Sequence, residues 1–139
     1  MEYAKLGKSG IEVSRLCVGC MSFGRPSEDF HEWTLNPNET EEIVKKALDL
    51  GINFFDTANT YSHGTSEEYL GRALKKNIAR NKVVIGTKVY FNEGHLSKEA
   101  VRREIDGSLK RLGTDYVDLY IIHRFDYTTP IEETMEALH

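Results

Sequence analysis

Three short apolar runs in this 139-residue chain each stop at an ionisable side chain. Ile52, Phe54 and Phe55 lead into Asp56, Val83–Gly86 leads into Lys88, and Val117–Ile122 leads into His123. Runs of this length, bounded so sharply, read as buried parallel strands. Between them lie stretches with helical periodicity. One carries Ile43, Val44, Ala47 and Leu48, the next Tyr69, Leu70, Ala73, Leu74 and Ile78, and the third Val101, Ile105, Leu109 and Leu112. Strand and helix alternating every 30–35 residues or so is the rhythm of a βα unit. In parallel α/β proteins, ligands gather at the carboxyl ends of the strands. The three ionisable groups therefore belong on one rim, joined by Tyr61, five residues beyond Asp56.

The boundaries follow from local signals. Residues 3–6 and 11–14 flank Gly7-Lys8-Ser9-Gly10 as a hairpin, and Leu16–Met21 follows as the first buried strand. Phe23–Pro37 is a long polar loop whose Phe30, His31 and Trp33 suit a lip over the site. Asn38 with Glu41 reads as a capping box, with Glu41–Lys45 and Glu42–Lys46 as helical ion pairs and Gly51 as the stop. Thr65 with Glu68 and Ser97 cap the next two helices, the second ending at Gly113. Thr129-Pro130-Ile131-Glu132 opens a fourth, with Thr129 as cap. The strands between are Val83–Val89 and Val117–Ile122.

Composition excludes several functions. A net charge of −4 without a basic run gives no footprint for nucleic acid. No apolar stretch approaches the roughly 20 residues that span a bilayer, and the first residues are too charged for a signal peptide. A cytoplasmic address is the expectation, and Asn38-Glu39-Thr40 is then a coincidental glycosylation pattern. Cys17 and Cys20 lack a second pair for zinc, and on a strand they face opposite ways. Two reduced, largely buried thiols are expected.

An acid, a phenol, an amine and an imidazole on one rim form a coherent device. A free phenol, with a pKa near about 10, is a poor proton donor at neutral pH. A lysine ammonium beside it favours the phenolate, and a carboxylate beside the lysine keeps the amine charged despite burial. An imidazole adds a donor that orients or stabilises a substrate oxygen. Such a set suits reduction of a carbonyl, with the hydride coming from a cofactor. Alone, Asp56 is a turn residue, Tyr61 loop packing, Lys88 edge protection and His123 a core histidine. Their joint placement favours the site.

The runs GINFFDTANTYSHGTSEEYLGRAL, IGTKV and LGTDYVDLYIIHRFDYTTPIEETMEAL resemble the aldo-keto reductases, in the branch that includes bacterial members and potassium-channel β-subunits. The resemblance covers nearly the whole chain. It implies the N-terminal half of a (β/α)8 TIM barrel, an α/β fold with four βα units from about residue 16 to 139 after the hairpin at 3–14, in one domain spanning 1–139. It implies NADPH as cofactor, and the sequence has no G-x-G-x-x-G. By the same resemblance Tyr61 is the proton donor, Asp56 and Lys88 its tuning pair, and His123 the group that orients the carbonyl. Cys20, Met21 and Asp56 fall at positions that approach the cofactor. A full barrel takes roughly 250 residues, so the expectation is a truncated barrel with an incomplete cofactor site. Open strand edges on such a half barrel favour self-association.

The partner expected is a small-molecule carbonyl substrate, with neither nucleic acid nor membrane. The competing reading is a catalytically incompetent fragment or a regulatory nucleotide-binding module. A metal-dependent hydrolase would need more His and carboxylate ligands at the strand ends. A short-chain dehydrogenase would need Tyr-x-x-x-Lys, which none of the seven tyrosines heads.

Overall fold

A computed structural model describes residues 1–139. Strands β1 (Tyr3–Lys5) and β2 (Glu12–Ser14) form an antiparallel hairpin. Four parallel strands follow in chain order: β3 (Val18–Gly19), β4 (Phe54–Asp56), β5 (Val84–Val89) and β6 (Leu119–Ile122). Helices α1 (Pro37–Asp49), α2 (Thr65–Asn77) and α3 (Lys98–Leu112) connect them, and α4 (Ile131–Leu138) follows β6. No helix is long and apolar enough to cross a membrane.

Strand alternation explains how the sheet divides its labour. Phe55 and Ile85 turn towards the helices and join Cys20, Val44, Ala47, Leu70, Leu74 and Leu112 in one buried cluster. Residues of opposite parity, among them Asp56, Gly86, Lys88 and Leu119, turn to the other face. Gly19 pairs with Asp56 and Lys88 with Ile121, which sets the register. The strands run in sequential order and the helices α1 to α3 cover a single face, whereas a doubly wound sheet reverses its order and is covered on both. The sheet is a sector of a barrel with its inner face uncovered.

Several local expectations are corrected. The first strand is expected over Leu16–Met21, but only Val18–Gly19 pairs, because the short β4 is its sole partner. The α1 cap is Asn36, not Asn38: its Oδ1 accepts from the Asn38 and Glu39 amides at 2.9 and 3.1 Å, while Glu39 Oε2 accepts from the Asn36 amide. Pro37, which lacks an N–H, thereby occupies the first helical position. Glu41 pairs with Lys76 of α2 and Lys45 with Asp49, instead of pairing with each other. Thr65 is already helical, and Gly64 caps α2 at φ 89°. Thr129 does not cap α4; its hydroxyl donates to Asp126 Oδ2 at 2.7 Å, and Pro130 stands at the cap. Ser97 caps α3 as expected, accepting from the Ala100 amide, and Gly113 ends it with φ 67°. Cys20 is buried but Cys17 is exposed on the uncovered face. Desolvation, followed by the Asp56 charge, pushes the Cys17 thiol up to about 11.

Two buried polar clusters, around Glu67 and Ser66, tie the helix layer together and to the sheet. Glu67 of α2 is fully buried; Thr87 of β5 donates to its Oε1 at 2.5 Å, and Arg111 Nε of α3 donates to its Oε2 at 2.7 Å. Ser66 Oγ donates to the Cys20 carbonyl at 2.7 Å and lies 3.0 Å from Thr57 Oγ1. Helices α2 and α3 meet at Gly71, where an added Cβ would lie 2.2 Å from the Leu112 carbonyl oxygen. Gly71→Ala should therefore lower unfolding stability by about 1–3 kcal/mol in urea denaturation, despite the better helix propensity of alanine. A gain in stability would show that the helices do not pack this tightly.

Candidate active site

The rim is built where β4 and β5 end. Lys88 lies on β5 with its side chain only 13% exposed. Its Nζ donates to Asp56 Oδ2 at 2.7 Å, to the Thr57 carbonyl at 2.8 Å and, more weakly, to Tyr61 Oη at 3.4 Å. These three acceptors match the three protons of an ammonium. Lys88 Nζ also stands 5.0 Å from the centre of the Tyr61 ring.

Tyr61 reaches Lys88 because the segment that leads from Asp56 to it is sharply folded. The Asn59 amide donates to the Lys88 carbonyl at 3.1 Å, and the Tyr61 amide to the Ala58 carbonyl at 3.2 Å. Beyond Tyr61, Ser62 and His63 sit in the left-handed region at φ 46° and 54°, before Gly64. That conformation costs roughly 1–2 kcal/mol per non-glycine residue. The strain is held by Thr65, whose hydroxyl donates to the Ser62 carbonyl and accepts from the Arg25 amide. Gly24 passes so close that a Cβ there would lie 2.4 Å from that of Ser62.

His123 follows β6 directly, and its amide continues the ladder to the Val89 carbonyl at 3.0 Å. Its ring meets Tyr61 edge-on, with centroids 5.6 Å apart. Burial first, and the Lys88 charge second, hold its pKa below the ordinary value of 6.5. Its Nδ1 is buried and without a partner. Tyr61, His123, Thr60, Met21, Phe30 and Phe91 line a cavity of about 300 Å³. Phe30, from the loop after β3, lies 6.4 Å from Tyr61, so that loop does form a lip. A second cavity, of about 340 Å³, lies between the C-terminal halves of α2 and α3 and contains none of these four groups.

Asp56, Tyr61, Lys88 and His123 are thus brought together. Met21 lines the same cavity and is 40% exposed. Cys20 is not part of it: its side chain faces the core, and its thiol donates to the Val18 carbonyl. Asp56 Oδ2 is taken by Lys88, whereas Oδ1 accepts no hydrogen bond within the chain.

Glu104 was missed in the sequence because it sits on α3 in a helical pattern where glutamate reads as solvent-facing. It is 7% exposed. Its Oε2 accepts from Asn59 and Asn92, and its Oε1 from Arg103. One carboxylate thereby ties the segment before Tyr61 to the segment after Phe91.

A barrel sector with a paired lysine, a phenol and an imidazole at its strand ends defines a protein of the parallel-barrel class with an acid–base site. Residues 15–139 match the model of the Aldo/keto reductase family, and the chain belongs to that family. It is 44% identical to versiconal hemiacetal acetate reductase of Aspergillus parasiticus, covering all of this chain and 47% of that protein. It is 38% identical to a probable voltage-gated potassium channel subunit beta of Oryza sativa subsp. japonica, covering all of this chain and 42% of that one. Among solved structures it resembles a thermostable aldo-keto reductase in complex with the inhibitor epalrestat, with TM-score 0.85 and 35% identity over 99% of this chain and 48% of that one. The holo form of an aldo-keto reductase from Bacillus halodurans gives TM-score 0.82 and 36% identity, covering 99% of this chain and 45% of that one. The chain spans about half the length of the relatives it matches, and its sheet is the corresponding half of a (β/α)8 barrel.

The lowered His123 pKa has a definite consequence. The unfolded chain binds this proton more tightly than the folded one, so stability rises with pH just below 6.5 and the contribution is lost as pH falls. Histidine side-chain NMR should give a His123 midpoint below that of the denatured chain. A midpoint at or above it would show that the ring is not desolvated beside a cation.

Proposed function

We propose that this chain carries the proton-transfer half of an NADPH-dependent reductase that converts aldehydes and ketones to alcohols. The observation that carries the reading is the Lys88 ammonium bridging Asp56 and the Tyr61 phenol. A substrate carbonyl oxygen fits between Tyr61 and His123 on the cavity wall. Tyr61 gives its proton to that oxygen as the carbon is reduced, and Lys88 stabilises the phenolate left behind. Asp56 holds the Lys88 ammonium beside the phenol through their 2.7 Å contact. His123, neutral at pH 7, orients the carbonyl oxygen without competing for the proton.

NADPH would supply the hydride when bound. Met21 and the free Oδ1 of Asp56 fit a place beside it, one offering an exposed apolar surface and the other an acceptor for a hydroxyl. The Cys20 thiol does not reach that place; only its backbone would approach it.

The identity to a channel β-subunit supports a second reading, a nucleotide-binding module without turnover. One experiment separates the two. In a barrel completed with the second half that its relatives have, NADPH oxidation with an aromatic aldehyde should be measurable, and Lys88→Met should slow it by about 10²-fold or more. NADPH affinity, followed by cofactor fluorescence, should change little, and circular dichroism should confirm that the variant folds. Binding without oxidation in the unsubstituted, completed barrel would favour the module. Oxidation that is indifferent to Lys88 would contradict the proton-transfer reading.

A further inference from the structure

We propose that Glu104 is the positioning residue for His123, setting the angle of the imidazole by holding the two rings between which it lies. The geometry stands on contacts alone, and its consequence for rate rests on the reductase reading. Among the four rim groups, His123 is the one whose side chain makes no hydrogen bond within the chain, and its Nδ1 is buried without a partner. Packing is what holds it. Tyr61 meets the imidazole edge-on with centroids 5.6 Å apart, and Phe91 meets it edge-on at 5.1 Å. A ring fixed in this way follows its neighbours, so whatever places Tyr61 and Phe91 also places His123.

Both neighbours lead back to one carboxylate. On the Tyr61 side, the Thr57 and Asn59 amides donate to the Gly86 and Lys88 carbonyls at 2.9 and 3.1 Å, carrying the chain along β5. Asn59 is the last to do so before the chain turns off to Tyr61. Its side chain is buried, its Oδ1 has no partner, and its Nδ2 donates to Glu104 Oε2 at 2.9 Å. Glu104 is thus the only hydrogen-bond partner of that side chain. On the Phe91 side the next residue, Asn92, donates to the same Oε2. Arg103 clasps this loop one residue further on, donating to the Glu93 carbonyl at 2.6 Å and to Glu104 Oε1 at 3.1 Å. N–H groups from three stretches of chain therefore converge on two oxygens, which suits a carboxylate because it accepts at both and carries no donor. Glu104 itself does not line the cavity.

Without this bridge, the Asn59–Tyr61 stretch and the Phe91 loop are free to shift apart, and the imidazole loses the angle they share. Glutamine can keep the bridge. Its amide oxygen accepts from both asparagines, while its NH2 faces Arg103, whose side chain is 53% exposed and can turn to water. Alanine removes the bridge altogether.

NMR of the barrel completed with the second half that its relatives have tests this without turnover. NOE contacts from the His123 ring to Tyr61 and Phe91 should be present in the unsubstituted protein, survive Glu104→Gln and be lost in Glu104→Ala. Asn92→Ala, at a half-buried loop position, should lose the Phe91 contact and keep the Tyr61 contact; it decides the matter if Glu104→Ala does not fold. A residue that only stabilised the fold would lower the melting midpoint and leave the contacts of the folded molecules unchanged. Rate supplies the second arm. Per NADPH-binding site, kcat with an aromatic aldehyde should fall by about 10–10²-fold in Glu104→Ala and hold in Glu104→Gln, the scale of loss for a small misplacement. Contacts that persist in the alanine variants, or that Glu104→Gln loses as Glu104→Ala does, overturn the inference. An active barrel whose kcat is indifferent to Glu104→Ala overturns it while leaving the reductase reading intact. A barrel that reduces no aldehyde, yet loses the His123 contacts in Glu104→Ala and keeps them in Glu104→Gln, supports the positioning and refutes the reductase reading.

Discussion

The Lys88 ammonium is the point on which this structure turns. A cation so enclosed must find partners or give up its charge, and it finds a carboxylate, a backbone carbonyl and a phenol within one cluster. Each partner comes from a different piece of chain architecture. Asp56 is delivered by the end of β4, the Thr57 carbonyl by the turn that leaves it, and Tyr61 by the folded segment beyond. The parallel register between β4 and β5 puts Asp56 opposite Gly86, so that Lys88 projects just past the carboxylate. Gly86 faces Asp56 across this register, and a Cβ there would meet Asp56 Oδ1 at an ordinary contact distance of 3.6 Å.

Behind this cluster, buried acids do the positioning. Glu67 joins α2 to β5 and α3, fixing the sheet against its helices. Glu104 joins α3 to Asn59 and Asn92, the two segments that flank the cavity. An unpaired carboxylate in either place would be costly, and removing one partner of a buried pair destabilises far more than an exposed pair stabilises. The left-handed pair Ser62 and His63 is tolerated because this framework, with Thr65 and the close-passing Gly24, over-determines the turn.

Much of this was legible in the residues because strand parity and strand ends are strong signals. The apolar runs ending at Asp56, near Lys88 and at His123 placed three groups on one rim, and the helical periodicity placed the covering layer. Less legible were choices between near-equal alternatives. The capping box expected at Asn38-x-x-Glu41 forms at Asn36-x-x-Glu39 instead, where Pro37 takes a first helical position that needs no N–H. Gly64 could take the left-handed cap of α2, so Thr65 was released into the helix. Glu104 and Glu67 lie on polar helical positions, and nothing in periodicity distinguishes a solvated glutamate from one buried with a partner. Cys17 was expected inside because its run is apolar, but its parity turns it to the face that no helix covers.

The central claim is that Tyr61 donates the proton to the substrate oxygen, and Tyr61→Phe tests it most directly. Phenylalanine keeps the ring against His123 and Phe30 and removes only the hydroxyl. In a barrel completed with the second half that its relatives have, with NADPH and an aromatic aldehyde, kcat should fall by about 10²–10⁴-fold, the usual contribution of general acid catalysis, while NADPH affinity holds. A Tyr61→Phe variant that reduces the aldehyde at near the unsubstituted rate would remove Tyr61 from the chemistry, and with it the purpose assigned to Lys88 and Asp56.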